Sequence, residues 1–570
     1  MTDAHSLADA VALHRANRLD EAEAGYRKVI AATGNPDAMQ LLATLLHQSG
    51  NPREGLTWLE RALRHFGDHD GLESNRAAML LATGQAESAL AATESILQRN
   101  PTHAGASKNR LLALRALGRD TRDLMEKIRW YELYQEAGGN DPGARLDHAN
   151  ALRRSGQAER ALALFQQARA EHPDSLDIAS STLISACFDA TQTTETLSTL
   201  ARSIAPLYPG EPATLQWSGD SHVLGFYSPR FADGPMASLV LPVMEELQRR
   251  GLRLVLFSRG SLDEPQSKPF REVADAVHAV ESLAYEQFAA LVERERVSVL
   301  FDLCGHSPGN RLADFCRRLA PVQACWGDWF LTTGLPGYDL YIGDAVTNPP
   351  AEDHCFSERV LRLPDGRFTY TPPPRVDAEQ FPTPQDPVFA SFNRLAKLTE
   401  PTLDCWADIL RRAPGATLLL CSDGLEYESV RRFTTRRFAE RGVSAEQTEY
   451  LQFMDYPSLL GHYRRVSVAL DPFPFNGCVT TFDALAMGVP VVALHGNAPV
   501  ARQSASILEH LQLGGWVAHS KEEYVEQALR LLEPTNNRAA RRQLTGDGAS
   551  DSFDVAGFTT TLLQALAEAR

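Results

Sequence analysis

The segment Leu470-Asp471-Pro472-Phe473-Pro474-Phe475-Asn476-Gly477-Cys478-Val479-Thr480-Thr481-Phe482-Asp483-Ala484-Leu485 ends an apolar run at Asp471, turns through two prolines and starts a helix near Gly477. A strand passing through a tight loop into a helix is half of a βαβ unit. Ligands of such sheets sit beyond the carboxyl ends of the strands. The first amides of a helix have no partner within it and bind phosphate, and glycine at 477 lets a ligand approach the backbone closely. Thr480 and Thr481 add hydroxyl donors in the first turn. Asp483, one turn inside, is a charged acceptor suited to ribose hydroxyls. Taken alone, the segment also fits an ordinary N-capped helix.

The alternation extends on both sides. From about His222, short apolar runs at Val223-Tyr227, Arg253-Ser258, Val297-Leu303 and Tyr338-Asp344 alternate with amphipathic helical stretches. This is the pattern of a parallel sheet. A Pro-rich stretch (Pro372, Pro373, Pro374, Pro382, Pro384, Pro387) reads as a linker. The alternation then restarts at Val388-Asn393, Thr417-Ser422, Glu449-Phe453, Val466-Leu470 and Pro490-Leu494, and a last helical segment near Phe553-Arg570 could cross back to the first half.

Upstream the period changes. Gly50, Gly84 and Gly118 are spaced by 34 residues, with Asn17 and Gly156 flanking at 33 and 38. Five residues after four of these come Ala22, Gly55, Ala89 and Ala161, and Pro101 and Pro173 follow Gly84 and Gly156 by 17. Helix, glycine turn, helix with a small packing residue, then proline is the tetratricopeptide (TPR) pattern. Asp123 breaks it after Gly118. The predicted domains are therefore 1–210 (TPR array and docking helices), 211–375 (a first Rossmann-like lobe) and 376–570 (a nucleotide-binding Rossmann-like lobe), an α + α/β chain.

The composition fits this reading. The chain has 56 Lys+Arg against 72 Asp+Glu, a net charge of −16, with 44% hydrophobic and 22% charged residues. That balance speaks for a folded protein and against nucleic acid or an anionic membrane as partner. No N-terminal leader pattern and no membrane-length apolar run stand out. The eight cysteines, scattered without a CxxC, read as free thiols in a reducing cytoplasm.

Further motifs stand in order along the chain: Asp302-Leu303-Cys304-Gly305-His306-Ser307, Asn310-Arg311-Leu312, Pro321-Val322-Gln323-Ala324, Thr332-Thr333-Gly334, Ser391-Phe392-Asn393-Arg394-Leu395-Ala396-Lys397 and Ala501-Arg502-Gln503-Ser504. With the repeats and the phosphate segment, the chain resembles the O-GlcNAc transferase/SPINDLY family of GT-B glycosyltransferases. The resemblance implies inverting transfer of a sugar such as GlcNAc, from a nucleotide donor of UDP type, to Ser/Thr of an acceptor protein. It implies no required metal and no other cofactor. It makes Lys397 the cation on the leaving diphosphate; Arg394, standing where that family often has an uncharged polar residue, is a candidate second cation. It places Asn476, Gly477, Cys478, Val479, Thr480, Thr481, Asp483 and Arg502 around the donor, His462 near the base, and Trp329, Leu331, Thr332, Thr333 and Gly334 around the sugar and acceptor. Asn75 and Asn109, each nine residues before a repeat glycine, resemble the asparagines of that family's peptide groove.

Three departures stand out. Gly234 replaces the histidine of an expected His-Pro pair, leaving Asp233, His306 or no residue at all as general base. Trp326-Gly327-Asp328-Trp329-Phe330-Leu331 replaces a Trp-Leu-Gly-Tyr-Pro-Gly run, and Cys478-Val479 replaces hydroxyl or imidazole residues at the phosphates. Alternatives are another activated sugar on a dedicated acceptor such as flagellin, or a catalytically impaired TPR scaffold.

Overall fold

The computed structural model describes residues 3–67, 69–208, 210–213, 215, 222–232, 235–371, 386–452, 454–545 and 554–568. Asp233, Gly234 and the proline linker at 372–385 lie outside these residues. The chain divides into two compact units, Met1–Ala151 and Leu152–Arg570. The helices at 158–202, assigned from sequence to the array segment, fall in the second unit.

The first unit is built of successive helix pairs, beginning with Asp3–Arg15 and Leu19–Thr33, then Pro36–Gln48 and Pro52–Phe66. Asn17, Gly50 and Gly84 take left-handed backbone angles (φ 58°, 82° and 79°), reversing the chain where the repeat predicts. Ala22 and Ala89 are fully buried, and a Cβ on Gly55 would lie 3.0 Å from the Ala43 carbonyl, so these small residues let helices approach.

Gly118 departs from the repeat. It lies inside the helix Ala104–Asp120, where an added Cβ would come within 2.7 Å of the Tyr131 ring. Asp123 instead caps the next helix, Leu124–Glu136, accepting from the amides of Met125 and Glu126. Asn109 departs too. It is buried, and its side-chain amide donates to the Ser74 carbonyl at 2.7 Å, so it joins two helices and has no free amide for a peptide. Asn75 is half-buried.

The second unit carries two fully parallel sheets. The first lobe orders β1 (Val223–Ser228), β2 (Arg253–Ser258), β3 (Ala276–Ala279), β4 (Val299–Asp302), β5 (Val322–Cys325), β6 (Leu340–Gly343) and β7 (Arg359–Arg362) as β3-β2-β1-β4-β5-β6-β7. The second lobe orders β8 (Val388–Ser391), β9 (Thr417–Cys421), β10 (Thr448–Leu451), β11 (Val468–Leu470), β12 (Val491–Leu494) and β13 (Val517–Ala518) as β10-β9-β8-β11-β12-β13. In each sheet the order reverses beside the first strand, and the crevice there is where such folds bind ligands.

The docking helices share the first lobe's core: Leu183, Leu197 and Ile204 pack with Phe257, Leu300 and Trp329. The helix Val555–Glu568 packs against Pro235–Arg249, with Arg250 donating to the Ala556 carbonyl at 2.6 Å and Phe558 stacked on Trp326. The last helix of the chain therefore belongs spatially to the first lobe. All eight cysteines are unpaired, and Cys478 alone of them is not fully buried.

Candidate active site

The loop after β11 is built around Asp471, which is buried and accepts the Gly477 amide at 2.7 Å. A Cβ on Gly477 would stand 2.6 Å from Asp471 Oδ1 and 2.7 Å from the hydroxyls of Thr480 and Thr481, so only glycine fits. In the helix Val479–Ala486, the first internal amide donors are Thr481 and Phe482, both to the Cys478 carbonyl. The amides of Cys478, Val479 and Thr480 precede that ladder, at the end of the helix whose dipole favours negative charge. Thr480 donates its hydroxyl to Asn393 Oδ1 at 3.1 Å, while the Thr481 and Ser504 hydroxyls share a 2.7 Å hydrogen bond.

Lys397 reaches this point from the turn after β8. Its ammonium donates to the Asn476 carbonyl (2.6 Å) and Asn393 Oδ1 (3.2 Å), and stands 4.8 Å above the Phe475 ring. Phe475 is stacked on Phe188 of the docking segment (4.8 Å) and meets Phe330 of the first lobe edge-on (6.0 Å). Three parts of the unit thus hold one lysine in place. Burial pulls the Lys397 ammonium below its usual range and pushes the Asp471 carboxyl above its own, each moderated by the opposite charge of the other.

Asp483 is buried, and its Oδ1 accepts hydroxyls from both Tyr370 and Tyr456 at 2.5 Å. Burial raises its pKa to about 6, against the pull of those two hydrogen bonds. Any ribose hydroxyl held there would share this carboxylate with two tyrosines. His462 ends the helix Tyr456–His462 and is half-buried, and the adjacent Tyr463 donates to the Thr480 carbonyl at 3.2 Å.

Several expected site residues are structural. His306 is 1% exposed, and its Nε2 lies 2.7 Å from the Thr333 carbonyl. A carbonyl can only accept, so Nε2 carries the proton and Nδ1 accepts from the Ser180 hydroxyl at 3.1 Å. With both nitrogens engaged and burial lowering its pKa to about 4, His306 is not placed as a general base.

Thr332 and Thr333 are fully buried and donate to the Glu358 carboxylate rather than lining a pocket. Trp329 donates to the Thr332 carbonyl, Leu331 is 2% exposed, and a Cβ on Gly334 would strike the Ala201 backbone at 2.5 Å. Arg502 is likewise buried and forms a two-pronged ion pair with Glu352 of the first lobe (2.8 and 2.7 Å), so it ties lobes together instead of facing a donor.

The His306 environment predicts acid sensitivity. Its folded pKa lies below the ordinary value of about 6.5, so the unfolded chain binds the proton more tightly. This contribution is complete above about pH 6.5 and is lost as pH falls toward 4, to a total of about 3 kcal/mol. Urea midpoints between pH 7.5 and 4.5 should fall more steeply for the parent protein than for His306→Gln.

Two further residues near Lys397 are not among those expected at the site: Asp328, within the departure at 326–331, and Arg367, which no motif marks. Asp328 is exposed and faces Arg394, Lys397 and Arg367. Arg367 is buried among Phe330, Tyr341 and Phe368, with ring centroids 4.9 to 5.0 Å from its guanidinium. Arg394 is exposed, and its charge acts on both Asp328 and Lys397. Among the described residues, no group of three or more His, Cys, Asp or Glu is placed to hold a metal ion.

Comparison with known proteins agrees with this geometry. The model of glycosyl transferase family 41 matches residues 376–562. The probable UDP-N-acetylglucosamine–peptide N-acetylglucosaminyltransferase SPINDLY of Petunia hybrida is 28% identical over 356 residues, 60% of this chain and 38% of that protein. Its counterpart in Oryza sativa subsp. japonica is 34% identical over 255 residues, 43% of this chain and 27% of that protein. The chain thus spans less than half the length of these relatives. Among solved structures, a mutant of the Thermobaculum terrenum O-GlcNAc transferase superposes with a TM-score of 0.73 at 27% identity, covering 88% of this chain and 98% of that one. In the helix-pair array, the paired parallel sheets and the family 41 match over the second lobe, the chain is similar to the O-GlcNAc transferase/SPINDLY glycosyltransferases.

Proposed function

We propose that the chain transfers a sugar from a nucleotide-sugar donor, of the UDP-GlcNAc kind, to Ser or Thr of an acceptor protein, with inversion and without a metal ion. The observation that carries this reading is Lys397, held between Asn476 and Asn393 beside the open amides of Cys478, Val479 and Thr480. A half-buried ammonium beside a helix N-terminus would stabilise a leaving diphosphate, which lets the acceptor oxygen displace it from the opposite face. The acceptor protein would dock on the helix-pair array, where Asn75 is accessible and Asn109 is not.

The test supplies purified protein with UDP-N-acetylglucosamine, a panel of other nucleotide sugars and a Ser/Thr peptide library, with and without EDTA. Sugar transfer that survives EDTA and gives the opposite anomer supports the reading. Absence of transfer from every donor overturns it, and UDP binding without transfer would indicate a scaffold with an idle cleft.

A further inference from the structure

The transferase reading leaves the acceptor proton without a destination. Among the described acidic and imidazole groups near the cleft, nearly all are committed elsewhere. His306 is engaged at both nitrogens. Asp302 is buried under the Tyr338 hydroxyl and the amides of Cys304 and Gly305. Glu358 holds Thr332 and Thr333, Asp471 lies behind the phosphate loop, and Asp483 accepts two tyrosines.

Asp328 differs from all of these. It sits in a run of buried residues (Trp326, Trp329, Leu331, Thr332 and Thr333) and is itself exposed. Its backbone is fixed on three sides. Its own amide donates to the Leu303 carbonyl at 3.0 Å, and Arg367 donates to the carbonyls of both neighbours, Gly327 and Trp329. The segment is therefore a rigid mount that presents one carboxylate to the cleft.

We infer that Asp328 is the general base of the transfer, with Arg367 as the positioning residue that holds its loop. The inference rests on the transferase reading and deepens it. The acceptor hydroxyl gives its proton to the Asp328 carboxylate as its oxygen bonds to the anomeric carbon. The bond from that carbon to the diphosphate oxygen breaks, and its electron pair leaves with the diphosphate beside Lys397.

The titratable and charged groups around Asp328 are Arg394 and Lys397 of the second lobe, Arg367 and Cys304 of the first, and Cys478 at the helix start. Desolvation within the cleft raises the pKa of Asp328 above the usual carboxylate range, against the pull of Arg394, Lys397 and Arg367. A raised carboxylate is a better base, and the rate should fall on the acid side as it protonates.

The test compares the parent protein with Asp328→Asn and Asp328→Glu, measuring UDP affinity and the pH profile of transfer from UDP-N-acetylglucosamine to the peptide library. The expected result for Asp328→Asn is a drop in kcat on the order of 10² to 10⁴. Its UDP affinity should be unchanged or tighter, because a carboxylate near the anion has gone, and the acid limb should be lost. Asp328→Glu should keep part of the rate with that limb displaced. An Asp328→Asn enzyme within tenfold of the parent, or one whose UDP affinity falls with its rate, overturns the inference. If Asp328→Asn does not fold, an unmoved acid limb in Asp328→Glu overturns it. A parent protein that transfers no sugar from any donor of the panel overturns the transferase reading, whereas an active parent with an active Asp328→Asn overturns this inference alone.

Discussion

Lys397→Ala should lower kcat/KM for transfer by about 10² to 10³, the usual effect of removing one preorganised group from a site of developing negative charge. The ammonium is committed to a single position by the Asn476 carbonyl, Asn393 Oδ1 and the face of Phe475, so it need not reorganise as the diphosphate departs. UDP affinity should weaken with the rate, because the product diphosphate carries the same charge. Lys397→Arg should not rescue, since a planar guanidinium cannot donate in the same two directions within that space. A pH signature belongs to the same group. Burial lowers the Lys397 pKa, so the ammonium is lost as pH rises through a value below the ordinary lysine range. The parent should therefore show an alkaline limb that the residual activity of Lys397→Ala lacks. A variant that transfers within tenfold of the parent would remove Lys397 from the leaving-group role.

The fold was readable wherever a residue type answers to one backbone requirement. Asn17, Gly50, Gly84 and Gly156 are left-handed because helix pairs reverse there, and the spacing exposes them. Gly118 has the right spacing for a different reason, the close approach of Tyr131, which spacing cannot distinguish from a turn. Strands with continuous apolar runs, such as β2 and β9, stand out in the sequence. β5 does not, because Gln323 interrupts it. That side chain is fully buried and bonds the carbonyls of Phe315 and Gly337, a tertiary solution to a polar residue in a core strand. β3 lies half-exposed at an edge, and β13 has two residues.

The site was readable to the extent that local geometry makes it. Asp471, Gly477, Thr480 and the helix start lie within ten residues, and their placement follows from one loop. Residues assigned by motif register alone were less secure. Thr332, Thr333, His306 and Arg502 are polar residues in the right order along the chain, and each proved to be satisfying another buried polar group. From sequence, a ligand contact and a buried structural hydrogen bond look alike, because both need the same donor at the same place. Asp328 lies within a departure from the family run, where an exposed cleft carboxylate and an ordinary surface aspartate look alike in sequence. Arg367 has no local signal, since its partners Gly327 and Trp329 lie some forty residues away.

Arg502→Ala should act on stability more than on donor affinity. Its guanidinium donates to both carboxylate oxygens of Glu352, to the Thr347 carbonyl and to the Gly496 carbonyl. The same Glu352 accepts the Thr194 hydroxyl at 2.8 Å, and the Thr194 amide donates to the Asn497 carbonyl. One ion pair thus joins the docking helix Thr194–Arg202, the first lobe and the second. Arg502 is buried and Glu352 half-buried, so removing either partner leaves the other without its counter-charge and hydrogen bonds, a loss of about 1 to 3 kcal/mol. Glu352→Ala should cost a similar amount, for it strands the guanidinium and the Thr194 hydroxyl together. The double variant should cost clearly less than the two singles combined, because the stranded charge is then gone. Denaturant midpoints of the four proteins measure that coupling, and UDP titration below the unfolding transition separates it from donor binding. If Arg502 instead contacted the donor, Arg502→Ala would lose UDP affinity at least tenfold while its midpoint barely moved. Glu352→Ala would not share that loss. The structure predicts the opposite ordering, since the lobes must be held at a fixed separation before Lys397 and the first-lobe residues can act on one donor.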